Sequence, residues 1–277
     1  LQIDLNRNFT GGTQAKGYIY ARIRDEDNVR RVLQAGQNNG FTDGKWHFLA
    51  VVFKTSSQGN IYLDGVNLTA SELETGNVTN TANFAFPVTL GALNWKGTIG
   101  TDGWYNGGMD DVRIYNRALS GAEVAQLYKL GSAKLAVSPT ALLTNGLVAY
   151  FTLDGNRTNW GTGITADSSG NNYQASLLSM STSTNPIAGK VGQAINFDGV
   201  TNKITLLNTA VLPSTMGTLA AWMKTANTTD SQRSAVSIAS TASINPLIVL
   251  QFDSSADNGV SNCGPASVQK VKLVVRD

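Results

Sequence analysis

Residues 43–53 read Asp-Gly-Lys-Trp-His-Phe-Leu-Ala-Val-Val-Phe, and residues 61–65 follow with Ile-Tyr-Leu-Asp-Gly. The run from Trp46 to Phe53 is almost continuously apolar and short enough for a β-strand that is buried on both faces. An Asp-Gly dipeptide stands before this run and another ends the second segment, where glycine accepts the positive φ of a tight turn. The two segments therefore predict adjacent β-strands joined through turns.

Similar segments recur along the whole chain, separated by turns rich in Gly, Asn, Asp and Ser. One short helix is predicted near residues 120–129, because Ser120 and Glu123 have the spacing of a capping box, and Gly131 is expected to end it. Many short strands and one helix predict an all-β fold, an antiparallel β-sandwich. Further strands are predicted at 17–23, 88–93, 109–115, 147–153, 193–197, 203–207, 218–223, 247–252 and 270–275.

The composition argues against several classes of protein. The 277 residues are only 14% charged with a net charge of +2, and scattered basic residues give no footprint for nucleic acid. No apolar run approaches the ~18 residues of a membrane-spanning helix, so membrane insertion is not expected. The single Cys263 cannot form an internal disulfide. The single His47 argues against histidine-based zinc sites and against Ser-His-Asp catalysis, and we predict that it is a strand residue.

Two segments near the start of the chain recur near its end. Leu1-Gln2-Ile3-Asp4 matches Leu-Gln-Phe-Asp at 250–253, and residues 20–25 loosely match residues 272–277. The matches are 249 and 252 residues apart, in the same order. The chain is therefore expected to be slightly more than one period of a tandem array, whose neighbouring repeats would be its partners.

The strands at 43–65 resemble the centre of the laminin-G-like, concanavalin A-like jelly-roll domains of bacterial extracellular proteins. Residues 108–120, which read Gly-Met-Asp-Asp-Val-Arg-Ile-Tyr-Asn-Arg-Ala-Leu-Ser, are similar to the closing strand and helix of that family. Four segments in the second half resemble the start of that family's domain: those at 146–154, 167–172, 192–199 and 218–224.

The segments that resemble the end of the family's domain come first in this chain, and those that resemble its start come second. This permuted order implies that the chain has three parts. Residues 1–131 are expected to be the C-terminal part of one domain, 132–146 a linker, and 147–277 the N-terminal part of the next domain. An alternative is that both halves close as one circularly permuted sandwich. In that case, residues 1–25 and 250–277 would compete for one set of strand positions.

Catalysis is not expected. A glycosidase needs two carboxylates held roughly 5–10 Å apart. Laminarinase-type enzymes of this fold carry Glu-x-Asp-x-x-Glu on one strand, and none of the four Glu in this chain lies in that pattern. Asp110 and Asp111 are adjacent on a predicted strand, so regular alternation would place them on opposite faces.

The resemblance implies one structural calcium, because domains of this type often hold such an ion. Calcium prefers six to eight oxygen ligands from carboxylates, carbonyls and amides. The alternative is that Asp167 and Asp198 are turn residues whose side chains hold backbone amides. The candidate ligands are Asp167, Asn171, Asp198, Asp110 and Asp111.

The resemblance also favours a non-catalytic module that binds a glycan or another cell-surface or matrix ligand, in a secreted or surface protein. Sugar sites combine an aromatic face with amides and carboxylates, and Trp104, Tyr105 and Asn106 lie between glycines in a predicted loop. Trp95 and Trp160 are further candidates in predicted loops, whereas Trp104 could instead seal the end of the sandwich. The alternatives are a structural spacer in an adhesin stalk and a glucanase relative.

Overall fold

The fold is described from a computed structural model of the 277-residue chain. It describes residues 19–24, 30–35, 43–54, 59–68, 71–75, 88–95, 98–132, 141–207, 216–225, 233–238, 248–253 and 270–274. Within these ranges, no helix has the length and apolar character needed to cross a membrane.

The described residues form short strands, two α-helices and one short 3₁₀ helix. The α-helices are α1 (Gly121–Ser132) and α2 (Ala141–Thr144), and the 3₁₀ helix is Gly155–Arg157. The strands are β1 (Ile19–Arg24), β2 (Arg30–Ala35), β3 (His47–Lys54), β4 (Asn60–Leu63), β5 (Val66–Asn67), β6 (Ser71–Thr75), β7 (Val88–Leu90), β8 (Ala92–Trp95), β9 (Thr98–Trp104), β10 (Asn106–Tyr115), β11 (Leu147–Phe151), β12 (Thr158–Asn159), β13 (Ile164–Ala166), β14 (Gln174–Leu178), β15 (Pro186–Ala188), β16 (Gln193–Asp198), β17 (Lys203–Leu206), β18 (Met216–Lys224), β19 (Arg233–Ile238), β20 (Ile248–Asp253) and β21 (Lys270–Val274).

These strands form two sheets, and the predicted antiparallel β-sandwich is confirmed. The larger sheet has the order β12-β13-β14-β17-β7-β19-β20-β21-β1-β2-β6, with β9 paired to β8 and β19. The smaller sheet has the order β15-β16-β10-β18-β3-β4-β5, with β11 paired to β10. Neighbouring strands are antiparallel, apart from the pairs β1–β21 and β9–β19 among the described residues.

The main hydrophobic core lies between the two sheets. Consecutive side chains of a strand point to opposite faces, so Leu49, Val51 and Phe53 of β3 enter this core together. Leu90 and Val236 of the larger sheet pack into the same cluster. The alternate residues of β3 are buried as well, which confirms the prediction of a strand covered on both faces.

The second face of the smaller sheet, here called the outer face, carries Phe48, Ala50 and Val52 of β3 and Trp222 of β18. Helix α1 covers it with an apolar stripe that includes Val124, Leu127 and Tyr128. A twelve-residue helix is marginal in isolation, so packing on this face stabilises α1.

The start of α1 confirms the predicted capping box. The Ser120 hydroxyl accepts the Glu123 backbone N–H at 3.3 Å, and the Glu123 carboxylate accepts the Ser120 backbone N–H at 2.8 Å. The prediction that Gly131 ends the helix was wrong, because α1 continues through this glycine to Ser132. The indole ring of Trp222 fills the space that a side chain at position 131 would need, since an ideal Cβ there would lie 1.9 Å from Nε1.

Strands from both halves of the chain share both sheets. β3 pairs with β18 from His47–Met223 to Lys54–Met216, and β10 pairs with β11, β16 and β18. The tandem array and the domain boundaries stay predictions. Within the predicted linker, residues 141–144 form α2, and Leu143 is buried beneath α1.

The expected competition between the two chain ends was wrong for the described residues. β1 and β21 do not contest one position but lie beside each other in the larger sheet. Residues 1–4, the first of the repeated segments, lie outside the described residues.

Candidate functional site

The segment Trp104–Asn106 is where the chain passes from the larger sheet to the smaller one. β9 ends at Trp104 and β10 begins at Asn106, so the prediction of a loop was wrong. Tyr105 lies between these strands in the main core and is fully buried. Its hydroxyl lies within hydrogen-bond distance of the backbone oxygens of Gly108 at 2.9 Å and Lys224 at 3.1 Å, and burial raises its pKa.

This burial corrects the prediction that Tyr105 contacts a ligand. The Tyr105 side chain lies in the core between the two sheets, where no ligand reaches it. Trp104 and Asn106 flank Tyr105 and are both partly exposed. Because consecutive side chains of an extended chain point to opposite sides, Trp104 and Asn106 share the side that faces away from the core.

Asn106 is held beside the turn at residues 198–202. Its side-chain amide donates to the Asp198 backbone oxygen at 3.4 Å, and its own backbone oxygen accepts the Thr225 hydroxyl at 2.8 Å. We call Trp104, Asn106 and this turn the Trp104 edge. It combines an aromatic ring with a fixed amide, which is the chemistry that predicted this site.

The other two tryptophans predicted to bind a ligand lie elsewhere. Trp95 is the last residue of β8 and not a loop residue, and its side chain lies outside the described set. Trp160 follows β12 in a turn, as predicted, and packs partly against the main core. Four strands separate β12 from β19, the partner of β9, so Trp160 is not part of the Trp104 edge.

The predicted calcium ligands in the second half of the chain form hydrogen bonds with backbone groups. Asp167 accepts the N–H groups of Tyr150 and Ser169, both at 2.8 Å. Asn171 donates its side-chain amide to the Val148 backbone oxygen at 2.8 Å. These are turn contacts of the kind that the alternative reading of the sequence described.

Asp198 is engaged in the same way. One of its carboxylate oxygens accepts the N–H groups of Val200, Thr201 and Asn202 at 2.8–2.9 Å. Partial burial acts to raise the pKa of Asp198, but these three hydrogen bonds outweigh it and lower the pKa below its ordinary value.

The five predicted ligands do not fit one calcium site. Asp167 and Asn171 share one turn, Asp198 lies in another, and Asp110 and Asp111 lie in β10. In the described part of the chain, no three His, Cys, Asp or Glu side chains come together in a metal-binding arrangement. A structural calcium stays a prediction.

Asp110 and Asp111 form a second candidate site, on the outer face. The prediction that they point to opposite faces was wrong, because β10 carries an irregularity between Asp110 and Arg113 in its pairing with β18. Asp111 has a φ of 52°, as in a β-bulge, where the extra residue interrupts the alternation. Its carboxylate accepts the Tyr150 hydroxyl and lies 3.7 Å from the Arg113 guanidinium.

Arg113 lies between Val112 and Ile114, which enter the main core, so it points to the outer face, where its guanidinium stacks on the Tyr150 ring at 4.1 Å. Asp111 contacts both side chains and lies on the same face. Asp110 is opposite Trp222 in the same pairing, so it lies on this face too. We call Asp110, Asp111, Arg113, Tyr150 and Trp222 the outer-face cluster.

Asp110 is the most perturbed carboxyl group of this cluster. One of its oxygens accepts the N–H groups of Lys190 at 2.8 Å and Val191 at 3.0 Å, and the side chain is completely buried. Burial raises the pKa of Asp110 to about 8, and the neighbouring carboxylate of Asp111 adds to the increase. Asp110 is therefore largely a neutral acid at neutral pH, shielded from any substrate by the turn at residues 189–192.

Several buried polar atoms around this cluster have no hydrogen-bond partner within the described residues. They are Asp110 Oδ1, Arg113 Nη1, Tyr115 Oη and Trp222 Nε1. An unsatisfied buried group costs about 1–3 kcal/mol, so these atoms act against the stability of the fold. The adjacent aspartates were the one signal in the sequence, but regular strand alternation could not reveal that they share a face.

His47 is a strand residue, as predicted, but it also bridges two carboxylates. Nδ1 lies 2.8 Å from Asp64, and Nε2 lies 3.1 Å from Asp43, which also pairs with Lys45 at 2.8 Å. The hydrogen bond to Asp64 raises the pKa of His47 above 6.5, although partial burial acts in the opposite direction. The bridge ties the turn before β3 to the turn after β4.

One comparison with known proteins identifies a family. Residues 6–125 match the family model Laminin_G_3, whose description is Concanavalin A-like lectin/glucanases superfamily. No curated protein and no solved structure matches the chain significantly. The matched range includes β3, β4 and β10, the strands that carry the resemblance seen in the sequence. Residues 6–125 therefore belong to the concanavalin A-like lectin/glucanases superfamily.

Proposed function

We propose that this chain is a non-catalytic glycan-binding module of a secreted or cell-surface protein, with its sugar at the Trp104 edge. The observation that carries the proposal is the pair of partly exposed side chains, Trp104 and Asn106, on either side of the buried Tyr105. The superfamily of residues 6–125, which includes lectins in its description, is consistent with this role.

The Trp104 edge has the rigidity that a weak sugar contact needs. Tyr105 anchors the segment in the core through two contacts with backbone oxygens, so Trp104 and Asn106 lose little conformational freedom on binding. An aromatic ring offers a flat apolar face to the C–H face of a sugar. The Asn106 side-chain oxygen has no hydrogen-bond partner among the described residues and is available to a sugar hydroxyl.

Asp110 and Asp111 are a closely spaced carboxyl pair, but their burial argues against hydrolysis. Both are less than 5% exposed, and Asp111 is engaged by Tyr150 and Arg113. A glycosidase acid must reach the glycosidic oxygen, and its partner must reach the opposite face of the sugar. We therefore propose binding without turnover, and hydrolysis of any member of a β-glucan panel would overturn that part.

A printed glycan array with the full 277-residue chain tests the proposal. We expect binding to at least one glycan, and we expect Trp104→Ala to weaken the strongest hit about tenfold or more, equivalent to about 1.4 kcal/mol. Trp160→Ala is the matched control, because it removes the same residue type from a partly exposed turn outside the Trp104 edge. Thermal unfolding of both variants would show that they are folded.

Three outcomes would contradict the proposal. Absence of any glycan hit with folded protein would favour the structural spacer. Equal loss of binding in both variants would indicate a general effect on the fold. Unchanged affinity in Trp104→Ala, with binding retained, would place the site away from the Trp104 edge.

A further inference from the structure

The pairing of β1 with β21 places repeated sequence segments side by side. Tyr20 lies opposite Lys272, Ala21 opposite Leu273, and Arg22 opposite Val274. Each residue is thus paired with the position 252 residues later in the chain, in the segment that loosely matches residues 20–25, and none of the three facing pairs is identical. The larger sheet therefore holds two loosely similar segments side by side, in parallel and in register.

This joint differs from the pairings that flank it. β1 pairs with β2 over six residues and β21 pairs with β20 over three, in both cases antiparallel, whereas the β1–β21 pairing covers three residues and is parallel. Parallel pairs are slightly less stable per residue than antiparallel pairs. In the described residues, β1, β2 and β6 are hydrogen-bonded to the rest of the larger sheet through this joint alone.

Parallel, in-register pairing is also the geometry in which identical segments of separate chains stack. If the joint opens, β21 and β1 each present a free strand edge, and every copy of the chain has both edges. Exposed edges pair readily with other chains. Exchange of an identical element between two copies recreates the same contacts at low energetic cost.

We propose that the β1–β21 joint is an interface between copies of this chain. β21 of one copy pairs in parallel with β1 of a second copy, and the second copy returns the same contact, which closes a symmetric dimer. The partner is thus a second copy of the same repeat.

Two single-cysteine variants of the full chain test this proposal. Ala21→Cys and Leu273→Cys are each made in a Cys263→Ser background, unfolded together, refolded and oxidised. Directly opposed residues of adjacent strands are close enough for a disulfide. We expect a covalent dimer that links positions 21 and 273, identified by mass spectrometry of the joined peptides, with a fraction that increases with protein concentration.

The matched control pairs Leu273→Cys with Arg24→Cys. Arg24 lies in the same strand but is displaced by three residues from Ala21, about 10 Å along β1, so no disulfide is expected. Light scattering provides an independent readout, because the wild-type chain is expected to shift from monomer to dimer as its concentration increases.

A double variant, Ala21→Cys with Leu273→Cys on one chain, separates the possible outcomes. The proposal is wrong if the double variant forms its disulfide within each chain, the mixed single variants form none between chains, and the wild type stays monomeric. In that case β1 and β21 of the same chain pair with each other. If neither disulfide forms, β1 and β21 are not paired, and the proposal is equally wrong.

Discussion

Replacement of Gly131 by Ala is expected to destabilise the protein, although alanine is the better helix former. An ideal Cβ at position 131 would lie 1.9 Å from Nε1, 2.5 Å from Cε2 and 2.8 Å from Cζ2 of Trp222. Trp222 cannot easily move away, because its ring packs against Tyr128 at 5.5 Å and Phe48 at 5.4 Å. Overpacking of this kind costs about 1–3 kcal/mol, more than the gain of up to about 1 kcal/mol from removing a helical glycine.

Gly121→Ala in the same helix is the matched control. Its new Cβ would lie 3.4 Å from the nearest atom, the Tyr62 hydroxyl, so the methyl group has room and the helix propensity favours it. Urea unfolding of both variants measures the contrast. We expect Gly131→Ala to lower the free energy of unfolding and Gly121→Ala to leave it unchanged or raise it.

A Trp222→Phe background isolates the cause. The smaller ring lacks the atoms nearest to the new methyl group, so Gly131→Ala is expected to cost less there than in the wild type. The argument would be refuted if Gly131→Ala were as stable as Gly121→Ala, or if its cost were the same in both backgrounds.

Three further changes test other parts of the structure. His47→Gln is expected to lower the free energy of unfolding most at acidic pH and progressively less above neutrality. The pKa of His47 is raised in the folded state, so its protonated form stabilises the fold below about pH 6.5, and this contribution is lost as the pH passes the folded-state pKa. A difference in urea unfolding that does not change with pH would contradict this. Asp110→Asn is expected to become more stable relative to wild type as the pH increases from about 4 to 8. Burial raises the pKa of Asp110 to about 8, so in this range the Asp110 carboxyl ionises only in the unfolded wild-type chain. A difference in the free energy of unfolding that stays constant from pH 4 to 9 would refute this. Ser120→Ala is expected to lower the free energy of unfolding by about 1 kcal/mol, because it removes the cap of α1. Ser132→Ala, at the exposed other end of α1, should lower it less. Equal losses in the two variants would argue against the cap.

The strands most visible in the sequence are those whose residues serve the core. The run at residues 46–53 became β3, and residues 218–223 lie within β18, because apolar side chains on both faces leave no other place for these segments. The capping box was equally readable, since it depends on local contacts between Ser120 and Glu123. Patterns of this kind need no knowledge of the rest of the fold.

The Trp104 segment shows why other elements were missed. Glycines on both sides of residues 104–106 favour a loop, but Gly107 serves a close approach: a Cβ there would lie 2.2 Å from the Lys224 backbone oxygen. β9 reads Thr-Ile-Gly-Thr-Asp-Gly-Trp, with too few apolar residues to predict a strand. Its pairing with β8 and β19 depends on segments distant in sequence, which a local pattern does not contain.

The position of α1 explains why a ligand site is expected at an edge and not on the face of the smaller sheet. The outer face carries Phe48, Tyr62, Tyr115 and Trp222, the aromatic residues best suited to stack on a sugar, but all four are buried. Contact with α1 or with neighbouring residues uses their apolar surface, and exposing them would require the helix to leave its cap and its packing. Trp104 keeps a partly exposed ring because it stands where the chain leaves one sheet for the other, beyond the reach of this helix in the described contacts. A ligand at the proposed site would therefore bind without any cost in helix packing, and the stability of α1 and the proposed affinity at Trp104 should respond to mutation independently.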